Sequence, residues 1–264
     1  MITKSLLKGY ICTNITVVHS NKLSYFFLLA IIVCCSSCKK WPWQDCEKGT
    51  GDVFEDRRSF ANYHTFTLDI PSELYIHYDS SRSRSEVMVV AQENVAEQII
   101  VTDNDGFVTV GFDGCFREYE EIQFHLFVKS LEKLVVNSPA KVYTTKAIYG
   151  EKFHLVFNES ASLDAFFYVD ELQVDFRGAA NIKTQGYAHV HKANFNSAAT
   201  YDAQYLITDS TYVIMNSTST FKAYASGLLD VTMTQGVIEF DGEDTLNITD
   251  RKTGGVLLDL RDSL

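Results

Sequence analysis

From Leu134 to Phe240, apolar and polar positions alternate in short bursts, and most bursts run into a pair of small or polar residues. The phrase recurs six times, as LVVNSPAKV (Leu134 to Val142), LVFNESASL (Leu155 to Leu163), VDFRGAANI (Val174 to Ile182), ANFNSAATY (Ala193 to Tyr201), VIMNSTSTF (Val213 to Phe221) and the more degraded VTMTQGVIEF (Val231 to Phe240). The last apolar residue before each pair is Val136, Phe157, Phe176, Phe195, Met215 and Met233, at separations of 21, 19, 19, 20 and 18. Alternation puts Leu172, Val174 and Phe176 on one face of a strand and Gln173, Asp175 and Arg177 on the other. One such strand cannot bury its apolar face alone, but stacked copies can, with equivalent residues about 4.8 Å apart. A period near 20 residues leaves room for three short strands and their turns per coil, and it predicts an all-β, right-handed parallel β-helix. Ser160-Ala161, Ala179-Ala180 and Ala198-Ala199 would form tight corners. Asn137, Asn158, Asn196 and Asn216 would stack just after the last inward residue and bond the neighbouring coil. An antiparallel sandwich would need a hairpin turn about every 8 to 12 residues, and such turns are scarce between 150 and 235.

Upstream of the repeat, HTFTLDI, ELYIHY (Glu73 to Tyr78), EVMVVA (Glu86 to Ala91), Ile99 to Thr102, Phe107 to Phe112 and Ile122 to Val128 read as strands. Asn104-Asp105-Gly106 reads as a hairpin turn. ENVAEQ (Glu93 to Gln98) predicts one short helix, and Lys48 to Ser59 is polar enough to read as tether becoming structure.

The first 22 residues are weakly basic and contain no acid, and Leu23 to Val33 is an apolar run of about a dozen residues. A spanning helix needs roughly 20, so the run suits the core of a secretory signal. CCSSCKK follows. Small residues before a cysteine resemble the lipobox of bacterial lipoproteins, a family in which the cysteine after the cleavage site is acylated. Ser36 and Ser37 favour Cys38 as that residue; Cys34 and Cys35 are the alternatives, and a plain signal peptide or an uncleaved anchor is the blander reading. A palmitate-bearing anchor at Cys38 would hold the chain durably on a membrane, with Trp41-Pro42-Trp43 at headgroup level or as plain tether. Cys12, Cys34 and Cys35 would leave with the signal. Cys46 and Cys115 then remain as a pair in an oxidising compartment, and a disulfide between them is expected. Closing a loop of that length stabilises by about 4 kcal/mol in the chain-entropy picture. The organisation expected is a signal peptide over 1–37, a tether over 38–48, a β-helix domain over 49–250 and a cap or tail over 251–264.

Net charge is −11, and about −14 for a chain starting at Cys38. That acidity argues against nucleic acid as a partner. It also repels an anionic membrane face, so membrane association needs the lipid.

Gly49-Thr50-Gly51-Asp52-Val53, the strand-helix-strand around Val87 to Val101, the run before Leu131-Glu132-Lys133-Leu134 and the repeated small corners together resemble the bacterial "putative auto-transporter adhesin, head GIN domain" family, over roughly Gly49 to Gly242. The family's corners are Ser-Gly-Ser-Gly, drifted here to NSPA, NESA, RGAA, NSAA and NSTS. The resemblance implies adhesion, and it brings no catalytic residues.

Candidate chemistry is sparse. His189 and His191 would share one side of a strand, as metal ligands sometimes do, but no third ligand is evident and a structural role is the simpler reading. Asp241, Glu243 and Asp244 flank Gly242 as a solvated turn. Glycoside hydrolysis needs two carboxyls about 5 to 9 Å apart, and Asp164, Asp175 and Asp202 do not read as equivalent repeat positions. Tyr143, Tyr149, Tyr168, Tyr187, Tyr205 and Tyr224 offer a stacking surface or, more simply, cross-strand partners. No catalytic residue, metal or cofactor is expected. The reading is a non-catalytic outer-membrane lipoprotein of the cell envelope that binds a glycan or an envelope protein. A carbohydrate-active enzyme and a structural or signalling protein are the alternatives.

Overall fold

In a computed structural model of the chain, residues 46–60 and 63–261 are described. The lipidation candidates Cys34, Cys35 and Cys38, the signal segment and the Trp-Pro-Trp stretch lie outside them. The chain forms a β-solenoid of about 7 turns with coils of about 19 residues. No helix among the described residues is long and apolar enough to cross a membrane.

The leading strands are β1 (Glu47–Lys48), β2 (Val53–Phe60), β3 (Thr65–Leu68), β4 (Ser72–Tyr78) and β5 (Ser85–Gln92). Helix α1 (Glu93–Glu97) follows, then β6 (Ile99–Asn104), β7 (Phe107–Phe112), β8 (Phe116–Glu118) and β9 (Gln123–Val128). The repeat supplies β10 (Lys133–Val136), β11 (Ala140–Thr144), β12 (Ile148–Phe157), β13 (Ala161–Phe176), β14 (Ala180–Phe195), β15 (Ala199–Met215), β16 (Thr220–Ala225), β17 (Leu228–Met233), β18 (Val237–Gly242), β19 (Asn247–Lys252) and β20 (Val256–Asp259).

The predicted ladder exists pair by pair. Parallel register sets Val136 beside Phe157, Phe157 beside Phe176, Phe176 beside Phe195, Phe195 beside Met215 and Met215 beside Met233. All six are fully buried. The Phe176 and Phe195 rings stack with centroids 4.6 Å apart. The small residues form the corner foreseen, with Ala140, Ala161, Ala180 and Ala199 in one row and nearly buried. After each inward residue the asparagine backbone continues the ladder, as where Asn196 N–H donates to Phe176 O at 2.9 Å. Two asparagine side chains bond each other's row instead of backbone: Asn158 Nδ2 donates to Asn137 Oδ1, and Asn137 Nδ2 to Asp69 Oδ1. Opposite the alanine corner the chain bends, and each bend spends two consecutive outward residues, such as Asp170-Glu171 and Asp209-Ser210. At Gly186 the backbone takes φ +109, and a Cβ there would lie 2.1 Å from Phe167 O, so only glycine fits.

The amino-terminal strands join the same sheets out of chain order. Strand β3 lies between β7 and β10, and β4 between β9 and β11, all parallel. Beyond them β5 pairs with β9, β2 with β5 and β6 with β7, all antiparallel. Asp105 and Gly106, both at positive φ, make the β6–β7 turn. Helix α1 buries Val95 and Ala96 against the core. Part of the stretch read as tether is in fact β2. Its residues face solvent on most positions, so no alternation marks it. Its Arg58 guanidinium donates to Ile99 O at 2.7 Å and so braces the end of α1. Cys46 and Cys115 form a disulfide with Cα atoms 4.9 Å apart.

A buried polar chain crosses the core, Thr184 Oγ1 to Tyr201 Oη at 2.9 Å and Tyr201 Oη to His191 Nε2 at 3.0 Å, and Thr208 with Thr211, and Ser217 with Ser219, form separate buried hydroxyl pairs. Burial pushes His191 down to about 3 and raises the Tyr201 phenol.

Two measurements test this picture. Phe176→Ala, at the centre of the stacked phenylalanines, should cost about 3–5 kcal/mol in urea unfolding, the range for an emptied aromatic site; a cost below about 1 kcal/mol would contradict the ladder. His191 is held neutral in the fold, whereas the unfolded imidazole takes a proton near pH 6.5. Its share of stability is therefore complete above that pH and falls by up to about 1.4 kcal/mol per pH unit as pH drops toward its folded value. His191→Leu, which repeats the residue at the equivalent Leu172, should flatten the slope of urea midpoint against pH between pH 6.5 and the carboxylate range. An unchanged slope would overturn the assignment.

Candidate binding surface

The strands that bury phenylalanine inward turn a second set of large side chains outward. Register aligns Tyr149, Tyr168, Tyr187 and Ile207 in one row and Phe166, Gln185 and Tyr205 in the next. Tyr149 is 54% exposed, Tyr168 48% and Tyr205 60%, with Phe166 and Ile207 in the same range. The Tyr149 and Tyr168 rings stack at 5.3 Å and 11°, and Tyr78 adds a tilted ring at 6.0 Å from Tyr149. Stacked rings satisfy one another and present edges and hydroxyls to solvent. Phe166 and Tyr205 have no aromatic partner among the described residues' ring pairs. The face therefore combines apolar area with amide, hydroxyl and carboxylate groups, a composition typical of recognition surfaces. Of the tyrosines foreseen, Tyr149, Tyr168 and Tyr205 are exposed. Tyr143 is half-buried and stacks on Tyr75, Tyr187 donates to Asp209 at 3.0 Å, and Tyr224 donates to Glu243. Phe166 and Ile207 went unnoticed in the sequence, although a break of alternation in favour of outward apolar residues is visible there.

A second feature runs along the alanine corner as an open groove of about 820 Å³. Its floor is the stack of alanines, with Pro71 and Pro139 at one end and Ser162, Asn181 and Thr200 along one margin. Charge is confined to its mouth, where Lys141 bonds Glu73 at 2.9 Å and Glu121 at 3.0 Å. The Lys141 bond holds the Glu73 carboxyl below its ordinary range.

The remaining candidate groups do not converge. His189 and His191 do not share a side: the bend between them turns His189 out to Asp209, at 2.5 Å, and His191 in to Tyr201. Asp164 and Asp202 do occupy equivalent positions, contrary to expectation, because both pair with Lys183 in one outward row. They lie two coils, about 9.6 Å, apart along the sheet, with Lys183 between them. Asp175 belongs to the other sheet and is buried. Burial raises its pKa, but hydrogen bonds from Asn194 at 2.6 Å, His154 at 2.7 Å and Gln173 outweigh that and hold it below the ordinary value. Asp241 caps the Gly242 N–H, and Glu243 accepts from Tyr224. No cluster of three or more potential metal ligands occurs among the described residues.

No curated protein matches the chain. Several solved structures share its fold. A putative adhesin from Bacteroides fragilis superposes with a TM-score of 0.74 at 11% identity, covering 80% of this chain and 99% of that one. A putative adhesin from Parabacteroides distasonis gives 0.61 at 16% identity, covering 81% and 100%. A protein from the same species described as a putative lipid binding protein gives 0.56 at 12%, covering 81% and 97%. At these identities the likeness concerns the fold. Residues 67–243 match the family described as putative auto-transporter adhesin, head GIN domain, and with two thirds of its length matched the chain belongs to that family.

Proposed function

We propose that the chain is a non-catalytic adhesion module of the cell envelope, and that its aromatic outward face takes the ligand, a glycan or an envelope protein. The observation that carries this reading is the row of Tyr149, Tyr168 and Ile207 beside Phe166 and Tyr205. These are five large side chains left in water on neighbouring rows of one face. Membership of an adhesin family supports a binding role. Against a hydrolytic pair, Asp164 and Asp202 are separated in their row by Lys183.

In this reading the exported chain begins at an acylated Cys38 and a short tether leads to the folded unit, which starts at Cys46 and β1 and not at 49 as the expected tether over 38–48 had it, and which ends with β20. The lipid places it on the outer membrane and the stiff solenoid holds the aromatic face away from the bilayer.

Two experiments test it. In a bacterial host fed a clickable palmitate analogue, the full chain should carry label that Cys38→Ala abolishes; label retained in that variant would refute the anchor. On glycan arrays and in pull-downs from envelope extracts, the chain should bind saturably, and Tyr168→Ala with Tyr205→Ala should weaken binding by about tenfold or more, as anchor residues do, with an unchanged melting temperature. Binding unaffected by both substitutions would move the ligand off this face, and turnover of a polysaccharide would replace adhesion with catalysis.

A further inference from the structure

The inward ladder changes character on the last coil. In one sheet Leu229, Val231 and Met233 are succeeded by Ile248, Asp250 and Lys252. In the other, Ile238 and Phe240 are succeeded by Leu257 and Asp259. Asp250 and Lys252 thus follow the buried apolar Val213 and Val231, and Met215 and Met233, in their rows, and Asp259 follows Ala223 and Phe240. The charges are paired locally: Lys252 Nζ lies 3.0 Å from Asp250 Oδ2, and Arg261 Nε lies 2.9 Å from Asp259 Oδ1. The Arg261 guanidinium also stands 5.6 Å from the centroid of Phe240, the last inward ring of its row. Gly255, at φ +82, brings the turn between β19 and β20 against Met233, where a Cβ would be 2.9 Å from the sulfur.

We propose that these two ion pairs close the carboxy-terminal end of the solenoid against a second copy of this chain. Among the described residues β19 pairs only with β17 and β20 only with β18, so each has one edge that no described strand covers. Ile248 and Leu257 are only partly buried beneath that end. An open parallel edge over a half-covered apolar floor is the arrangement that invites another strand, and inward-pointing charges are one way a sheet refuses it. A second copy stacking there would place Asp250, Lys252, Asp259 and Arg261 between two apolar layers. Taking paired ions out of water costs more than their mutual attraction returns unless every bond is kept. The other end of the solenoid is closed differently, by α1 and the antiparallel strands β2, β5 and β6. Any association through the carboxy-terminal end would therefore be tail to tail and would stop at two copies.

The test replaces the four charges in the full chain, purified in mild detergent, with mass read by sedimentation velocity. The wild-type chain and a variant with both pairs reversed (Asp250→Lys, Lys252→Asp, Asp259→Arg, Arg261→Asp) should sediment as monomers. A variant that continues the ladder, Asp250→Val with Lys252→Met and Asp259→Phe, should form a discrete species of twice the mass at micromolar concentration. The milder Asp250→Asn with Lys252→Gln and Asp259→Asn decides the matter if the apolar variant does not fold, and it should shift the same way. A folded neutral or apolar variant that remains monomeric, judged by wild-type circular dichroism, would overturn the proposal. So would a wild-type dimer abolished by reversing the pairs.

Discussion

Everything in this molecule depends on one constraint, the stacking of like inward residues in register. A coil of about 19 residues has too little apolar area to fold alone. Each gains its core only by laying Val, Leu or Phe on the same residue class of the coil before it, while its backbone bonds to neighbours on both sides. Insertions and deletions must then be absorbed at corners. The register slip between Lys183 and Gln185 against β15 is such a place, and it keeps Phe195 beside Met215 although one coil is a residue longer.

The same constraint explains the polar exceptions. Inside, Thr184, Tyr201 and His191 stand in three different rows yet satisfy one another, which is the condition for a hydroxyl and an imidazole to remain in a core. Outside, ladders of unlike charge alternate where like charge would repel: Asp164, Lys183, Asp202, Lys222 and Glu239 succeed one another in a single row. Tyr149 and Tyr168 stand in water with each ring covering part of the other.

The repeated half was legible because its physics is periodic. Val136, Phe157, Phe176, Phe195, Met215 and Met233 could be aligned by counting, and the counted separations are the observed register. The cysteine pair was legible by compartment and number. What stayed hidden is non-periodic. Strand β2 lies at a sheet edge with one face in solvent, so Val53 to Phe60 shows no alternation. The insertion of β3 between β7 and β10 is set by contacts remote in sequence, which no local pattern records. The opposite orientations of His189 and His191 arise from a bend that spends two outward residues, where a uniform strand was assumed. The shared row of Asp164 and Asp202 was legible, since each follows its corner alanine, Ala161 or Ala199, by three residues; only Asp175 stands out of phase. The aromatic face was half legible: tyrosines could be enumerated, but which of them stack, donate or stand free depends on the coil above.

The disulfide has a mechanical meaning. Cys46 is joined covalently to Cys115 across a sequence separation of 69. Tension that reaches Cys46 from the preceding chain takes the shorter covalent path through the sulfurs into Cys115 and on to β9. The intervening strands β1 to β7 and helix α1 lie off that covalent path and share the load only through their pairing with it, as β4 and β5 do with β9. Strand β2, held at one edge by antiparallel pairing with β5 alone, would otherwise be among the first to peel under traction. The shear is delivered instead to β9, which is gripped on both sides, by β4 in parallel and by β5 antiparallel.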